Sequence, residues 1–179
     1  IQGQVAVADL TGNGFLDIIA ADTRGSVAVF DVNGKEIWET HLASLISQGV
    51  TIGDVDGDGR LEVVVGTSSG AVHVLRGDTG APSTPFPFYT KGRIMSPIVL
   101  TNLRSKELRD KNPNNKGLTL LVPSFDGYLY VIDGSMGCYD VVDIGETSYG
   151  APLVDDVTGN GKMDVVIATM NGNVYLFES

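Results

Sequence analysis

The stretch Asp54-Val55-Asp56-Gly57-Asp58-Gly59-Arg60-Leu61-Glu62 places four carboxylates within nine residues. Oxygen-bearing side chains occupy its first, third, fifth and ninth positions, and two glycines allow the backbone to fold back on itself. Carboxylates this close repel one another when they are unpaired, whereas Ca²⁺ binds about six to eight such oxygens in a flexible cage. We therefore predict that this loop binds calcium.

The same skeleton occurs at 9–17 and at 156–164, which gives three predicted Ca²⁺ sites. The predicted ligands are side chains or, at the seventh position, backbone carbonyls: Asp9, Thr11, Asn13, Phe15, Asp17, Asp54, Asp56, Asp58, Arg60, Glu62, Asp156, Thr158, Asn160, Lys162 and Asp164. The central loop has four carboxylates and each flanking loop has two, so we predict that 54–62 binds most tightly. Mg²⁺ is disfavoured because it keeps its waters, and the alternative that Asp and Asn only favour a turn stays open.

An EF-hand opens with a similar pattern but requires a carboxylate at position 12 and flanking helices. Position 12 is apolar in all three loops: Ala20, Val65 and Ile167. The closing acid stands at position nine instead, which excludes an EF-hand. An apolar residue precedes that acid each time, and we expect it to pack the loop onto a sheet: Leu16, Leu61 and Met163.

The spacing of the loops indicates a structural repeat. Asp9 and Asp54 are 45 residues apart, and Asp54 and Asp156 are 102 apart, about twice a period typical of propeller blades. Within a period, short Val- and Ile-rich runs alternate with Gly-containing turns. We predict an all-β protein: a β-propeller with about four blades of four antiparallel strands, forming part of a larger propeller.

The predicted units divide a single propeller region, 1–179, into four parts: 5–42, 50–89, 95–144 and 151–179. The third unit lacks the acidic pattern, so we assign it no metal. Its insertion, 102–117, is rich in Lys and Arg, and we interpret it as a solvated loop. The fourth unit lacks a fourth strand, only Leu42-Ala-Ser-Leu-Ile46 could form a helical turn, and we expect Cys138 to be a small buried side chain.

The net charge of −10 is concentrated in the loops. They hold eight of the 22 acidic residues, so 14 acidic and 12 basic residues remain elsewhere. Without a basic face, a nucleic-acid partner is not expected. No run of 18 apolar residues occurs, so we expect no membrane insertion within this segment. Because the chain starts without Met and ends in a strand-like run, we expect it to be a piece of a longer protein.

The sequence contains no recognisable catalytic constellation. There is no phosphate-binding Gly loop, no Cys/His metal spacing, and His41 and His73 are 32 residues apart. The adhesion-like triplet Arg76-Gly77-Asp78 falls where the repeat predicts a hairpin turn, and we interpret it as a turn. We therefore predict that the protein is not an enzyme.

The repeated order of strand, acidic loop, strand, turn and strand resembles the FG-GAP repeats of the integrin α-subunit propeller. A trace of the name survives in Tyr149-Gly-Ala-Pro152. This resemblance covers essentially the whole chain and implies a calcium-binding scaffold for adhesion or ligand binding. Its partner would be a protein or a cell-wall polysaccharide.

Several stretches resemble more closely the plant Defective in Exine Formation family: Ile52-Gly-Asp-Val-Asp-Gly-Asp58, Ser124-Phe-Asp-Gly-Tyr-Leu-Tyr130, Asp140-Val-Val-Asp-Ile-Gly-Glu-Thr-Ser-Tyr149 and Met170-Asn-Gly-Asn-Val174. That resemblance implies a membrane-anchored, integrin-α-like protein of the secretory pathway and the outer cell surface, needed for pollen exine patterning. The calcium ligands carry over to the three loops named above and not to the third unit.

Two alternatives remain. The stretch from Gly25 to Trp38 is similar to the docking repeat of quinoprotein propellers, in which Gly and Trp lock adjacent blades, so a quinoprotein-like scaffold or enzyme is one. We interpret Trp38 as a packing residue. The other is a calcium-dependent polysaccharide-binding or lyase domain, which as a lyase would need a base beside a metal-bound uronate. No such cluster stands out in the sequence.

Overall fold

The computed structural model describes residues 5–103 and 117–178. This part of the chain forms fifteen strands and no helix: β1 (Ala6–Ala8), β2 (Asp17–Ala21), β3 (Ser26–Phe30), β4 (Glu36–His41), β5 (Thr51–Gly53), β6 (Glu62–Gly66), β7 (Ala71–Arg76), β8 (Phe88–Tyr89), β9 (Val99–Thr101), β10 (Thr119–Pro123), β11 (Tyr128–Asp133), β12 (Tyr139–Asp143), β13 (Leu153–Asp155), β14 (Asp164–Ala168) and β15 (Val174–Phe177). No helix in these residues is long and apolar enough to cross a membrane.

The strands form four antiparallel sheets in chain order: β1–β4, β5–β8, β9–β12 and β13–β15. Strands that are consecutive in sequence are hydrogen-bonded neighbours, so each sheet is an up-and-down meander of the kind that forms a propeller blade. The first three blades have four strands and the fourth has three. The all-β propeller prediction is confirmed.

The hydrophobic core lies between blades, and β6 shows why. Val63, Val64 and Val65 are all buried, although side chains along a strand point to alternate faces. Val63 and Val65 belong to the cluster shared with the first blade, whereas Val64 belongs to the cluster shared with the third. Each middle blade is therefore apolar on both faces, which explains the continuous Val-rich runs. A third cluster joins the third and fourth blades.

Close contacts at glycines fix neighbouring blades against each other. The Trp38 indole Nε1 donates a hydrogen bond of 2.7 Å to the carbonyl of Gly77 in the second blade. A Cβ atom on Gly80 would lie 2.5 Å from the Trp38 ring, so only glycine fits there. At the next interface, Pro85 approaches Gly137 in a comparable way, 2.4 Å from a Cβ atom. Trp38 is therefore a packing residue between blades.

Two details of the sequence prediction differ from the structure, and a third is not tested by it. Cys138 is exposed and not buried, because it directly precedes the outer strand β12, which has no further strand beside it. The segment from Leu42 to Ile46 contains no helical turn; it bends at Ala43, whose φ is 52°, and at Ser44, and it connects the first two blades. Most of the predicted insertion, 104–116, lies outside the described residues.

Candidate metal centre

The three acidic loops occupy the same place in three blades. Each connects the first and second strands of its sheet, so all three lie at the corresponding end of their blades. The closing acid is the first residue of the second strand and pairs with the residue just before the loop. The opening and closing acids are thereby held near each other by the strand ladder.

The opening aspartate of each loop accepts backbone hydrogen bonds through both of its oxygens. In the central loop, the amides of Gly57 and Gly59 donate to Asp54 at 2.8 and 3.0 Å. In the flanking loops the donors are amides of the fifth and sixth residues, from Asn13 and Gly14 to Asp9 and from Asn160 and Gly161 to Asp156, at 2.8–3.0 Å. The loop wraps around this carboxylate.

The glycine at the sixth position makes that wrapping possible. Gly14, Gly59 and Gly161 have φ values of 84°, 90° and 83°, in the left-handed region that side chains with a Cβ rarely adopt. The residue that follows then donates its amide to the fifth side chain. These bonds, from Phe15 to Asn13, from Arg60 to Asp58 and from Lys162 to Asn160, are each 2.8 Å long.

The closing acids are buried, with exposures of 1% at Asp17, 3% at Glu62 and 0% at Asp164. One carboxylate oxygen of each accepts a backbone amide from the start of its loop. In the flanking loops a threonine hydroxyl also donates to this oxygen, from Thr11 at 3.3 Å and from Thr158 at 3.1 Å.

The central loop concentrates negative charge. Carboxylate oxygens of Asp54, Asp56 and Asp58 lie within 4.8 Å of one another, close enough to contact one metal ion. Burial, together with the charges of these aspartates, raises the pKa of the Glu62 carboxyl to about 7, against the lowering effect of the hydrogen bond from the Val55 amide. The loop therefore holds more negative charge than its own hydrogen bonds satisfy.

The predicted ligands fit a hard cation. Every predicted donor is an oxygen, as Ca²⁺ requires. In the fourth-blade loop, Asp164 Oδ1 is fully buried and has no hydrogen-bond partner among the described residues. An orphaned buried carboxylate oxygen is costly unless a cation or a donor reaches it. At the seventh positions the side chains offer no ligand, because Phe15 carries no oxygen and Arg60 and Lys162 are cationic, so the backbone carbonyl is the predicted ligand there.

The expectation that the eighth residue packs each loop onto a sheet holds only for the central loop. Leu61 packs against the cluster shared by the first two blades. Leu16 and Met163 are 57% and 43% exposed, so the expectation is wrong for both flanking loops. Within the described residues, the first blade packs against Leu61, whereas Leu16 and Met163 remain exposed to solvent.

Of the remaining polar residues singled out by the sequence, the two histidines lie outside the acidic loops, and Arg76 is the direct partner of the closing acid Glu62 across β6 and β7. His41 Nδ1 lies 3.3 Å from Ser26 Oγ on the neighbouring strand. His73 is half-buried in β7, and burial lowers the pKa of its imidazole. Arg76-Gly77-Asp78 lies at the β7–β8 turn, where the Gly80 amide donates to the Arg76 carbonyl at 2.8 Å.

Sequence reasoning missed a groove at the junction of the second and third blades. It has a volume of about 190 Å³ and is lined by Lys91, Tyr128, Tyr130, Tyr139 and Val141. The one available signal was the alternation of Tyr128 and Tyr130, which places both rings on one face of β11. Lys91 comes from a distant segment, and only the packing of the two blades brings it there.

Comparison with known proteins places the chain among β-propellers. The structure is similar to BBS1N in complex with ARL6DN, with a TM-score of 0.69 and 15% identity over 97% of this chain and 50% of that chain. It is also similar to BamB from Moraxella catarrhalis, with a TM-score of 0.67 and 21% identity over 99% of this chain and 46% of that one. The computationally designed Ika4 protein matches with a TM-score of 0.63 and 18% identity over 99% of this chain and 92% of that one. These likenesses show the fold alone.

The sequence model of the FG-GAP-like repeat family matches residues 9–65, which contain the first two acidic loops. Lambda-carrageenases of Pseudoalteromonas sp. and Pseudoalteromonas carrageenovora are each 29% identical over 66 residues, or 37% of this chain. The match spans about 7% of the length of these curated relatives. The fold is therefore a β-propeller, and the segment 9–65 of its first two blades is similar to the FG-GAP-like repeat family. None of these relatives supports the closer resemblance to the plant Defective in Exine Formation family.

Proposed function

We propose that the protein is a calcium-stabilised β-propeller that binds a partner and catalyses no reaction. The observation that carries this proposal is the central loop, where three aspartate carboxylates converge within 4.8 Å on a backbone already folded around one of them. A bound Ca²⁺ would offset the repulsion among these charges. The central site is the strongest, and the two flanking loops form weaker sites.

In this proposal the metal has a structural role. The loops lie at one end of their blades, where ion binding would fix the shape of a face of the propeller. Binding surfaces are frequently formed by loops that a rigid scaffold positions. The acids of the loops already accept backbone hydrogen bonds, which supports a positioning role over a proton-transfer role.

The proposed partner is a protein or a polysaccharide at the cell surface. The FG-GAP-like match at 9–65 supports a binding scaffold of the integrin-α-like kind. The partial match to Lambda-carrageenases, enzymes named for a polysaccharide, supports a polysaccharide partner. A secretory-pathway location, a membrane anchor elsewhere in a longer protein, and a role in pollen exine patterning belong to the same proposal and rest on the sequence resemblance.

A calcium titration tests the proposal. Because a ligand that binds only the folded state stabilises it, Ca²⁺ in excess of its Kd should raise the melting temperature by several degrees, and chelator should reverse the shift. Mg²⁺ at the same concentration should give a smaller shift. Absence of any calcium-dependent shift, with no calcium in the protein by elemental analysis, would disprove the metal role.

A further inference from the structure

We propose that the groove between the second and third blades binds one negatively charged sugar unit of a polysaccharide. This inference deepens the proposed binding function by assigning its ligand class and its place. The groove is formed by Lys91, Tyr128, Tyr130, Tyr139 and Val141, and we name it the tyrosine groove. None of its residues belongs to the acidic loops or to the predicted metal ligands.

The aromatic walls of the tyrosine groove are held rigidly. Phe88, from the outer strand of the second blade, packs edge-on against Tyr139 and Tyr130, with ring centroids 4.8 and 5.9 Å away. Tyr130 is buried, its hydroxyl donates to Asp126 Oδ2 at 2.7 Å, and it accepts the Lys91 amide at 3.2 Å. A ligand would therefore meet walls that need little ordering, which favours affinity.

Part of the apolar surface of the tyrosine groove remains exposed to solvent. Tyr139 is 55% exposed and Val141 is 48% exposed, although both lie beside the buried Tyr130. Exposed aromatic surface with polar tips, at the mouth of a concave site, is typical of binding sites. The flat C–H face of a pyranose ring packs on such a surface while its hydroxyl rim stays in water.

Lys91 is the charged residue among those that line the tyrosine groove, and two acids lie beside it: Asp126, which accepts the Tyr130 hydroxyl, and Asp143, which pairs with Tyr128 across β11 and β12. Lys91 is exposed and pairs with no acid in residues 5–103 and 117–178, whereas Arg24 and Arg60 are each paired with an aspartate. In a chain with a net charge of −10, an unpaired cation beside exposed rings attracts a negatively charged group. A carboxylate or a sulfate on the sugar would supply it.

The size of the groove limits the ligand. A volume of about 190 Å³ is below the range of about 300 Å³ and upward that is usual for drug-sized ligands. It suits a single sugar ring, so the contact with a polysaccharide would be local and the affinity of an isolated oligosaccharide modest, with a Kd of about 1 mM or somewhat lower.

The test measures oligosaccharide binding to the whole chain by isothermal titration and saturation-transfer NMR. The probes are a hexamer of galacturonate, a carrageenan hexasaccharide and neutral cellohexaose. They show whether the groove binds a sugar with a carboxylate, a sugar with a sulfate, or an uncharged sugar. The titrations run first in chelator, because galacturonate itself binds calcium, and then in Ca²⁺. At least one charged probe should bind more tightly than the neutral one, and added salt should weaken that binding.

Paired variants locate the site. Tyr139→Ser should weaken binding about tenfold, whereas Tyr89→Ser, which removes a 67% exposed tyrosine outside the groove, should change it less than about twofold. Lys91→Gln should weaken charged probes several-fold and reduce the salt dependence, and Arg93→Gln should not. Arg93 is a matched control, since it is exposed on the same connection and does not line the groove.

Three results would overturn the assignment: no binding of any probe at about 10 mM, equal losses for Tyr139→Ser and Tyr89→Ser, or binding of a poly-glutamate peptide in place of the sugars. The chelator arm keeps the two proposals separable. Groove binding without a calcium-dependent melting shift would leave the sugar site standing and refute the metal role. The reverse pattern would refute the sugar site alone.

Discussion

The central loop and the first-blade loop share one backbone design and differ in how their charge is satisfied. In both, the opening aspartate accepts two backbone amides and the closing acid is buried. In the first-blade loop, the third residue, Thr11, donates its hydroxyl to Asp17. In the central loop, the third residue is Asp56, which cannot donate when ionised and instead helps to raise the pKa of Glu62.

This difference separates two roles of the loop sequence. The positions of the opening aspartate and the glycines set the backbone path, because they recur in both loops and the sixth-position glycine amide donates to the opening aspartate in each. The third and fifth side chains set the charge. A loop with neutral residues there satisfies much of its charge by internal hydrogen bonds, whereas a loop with two more carboxylates has more negative charge that a cation could offset.

The largest effect should follow from removing the opening aspartate of the central loop. Asp54→Ala removes the acceptor of two backbone amides and a predicted ligand, so calcium affinity at this site should fall at least about 100-fold. Isothermal titration measures the change. Asp31→Ala is the matched control, since Asp31 also accepts two backbone amides, from Asn33 and Lys35, in a turn outside the loops.

Asp31→Ala should lower thermal stability without changing calcium affinity. An equal loss of affinity in both variants would show that the central loop responds to general destabilisation and has no special role in metal binding.

A smaller effect is expected when the two loops exchange their charge. Thr11→Asp with Asn13→Asp should raise the calcium affinity of the first-blade loop about tenfold, and Asp56→Thr with Asp58→Asn should lower that of the central loop by a similar factor. The first pair is measured in an Asp54→Ala background, which removes the central site. If calcium affinity neither rose when carboxylates were added nor fell when they were removed, backbone shape and not charge would determine which loop binds calcium more tightly.

A third effect should change sign with calcium. In chelator, Asp56→Asn with Asp58→Asn should stabilise the protein by about 0.5 kcal/mol, because it relieves repulsion between exposed or half-buried carboxylates. Differential scanning calorimetry should show a rise of about 2 °C. In calcium the same variant should melt below the unmodified protein. Asp140→Asn, at an exposed acid on β12, should show no such reversal.

The repeat could be predicted because the same local physics recurs along the chain. Acid and glycine spacing defines the loops, and Val-rich runs separated by Gly-containing turns define the strands, so the blades and the places of the acidic loops follow from short stretches of sequence. The metal ligands themselves stay a prediction. The contacts between blades could not be predicted in this way. The exposure of Leu16 and Met163, and the meeting of Lys91 with Tyr128, depend on which blade stands beside which.

The smallest effect concerns acid, and it separates the loops from the rest of the fold. Below about pH 5, protons should compete with calcium for the carboxylates of both loops. His73 adds a loss of stability that is independent of calcium. Burial lowers the pKa of its imidazole in the folded state, below the value of about 6.5 for an exposed histidine.

The sign of the His73 effect follows from proton linkage. Between the two pKa values the unfolded chain binds more protons than the folded one, so the stability present above pH 6.5 is lost as the pH falls towards the folded-state pKa. The Glu62 carboxyl, whose pKa is raised to about 7 in the folded state, gains stability over the same range, so the His73 effect is measured as a difference. Melting curves in chelator between pH 7 and 5 should show a larger loss, or a smaller gain, of stability in the unmodified protein than in His73→Gln. NMR titration of His73 gives its pKa directly. A His73 pKa at or above 6.5 would show that any loss of stability between pH 7 and 5 comes from groups other than His73. The carboxylates of the acidic loops would then be the next groups to titrate.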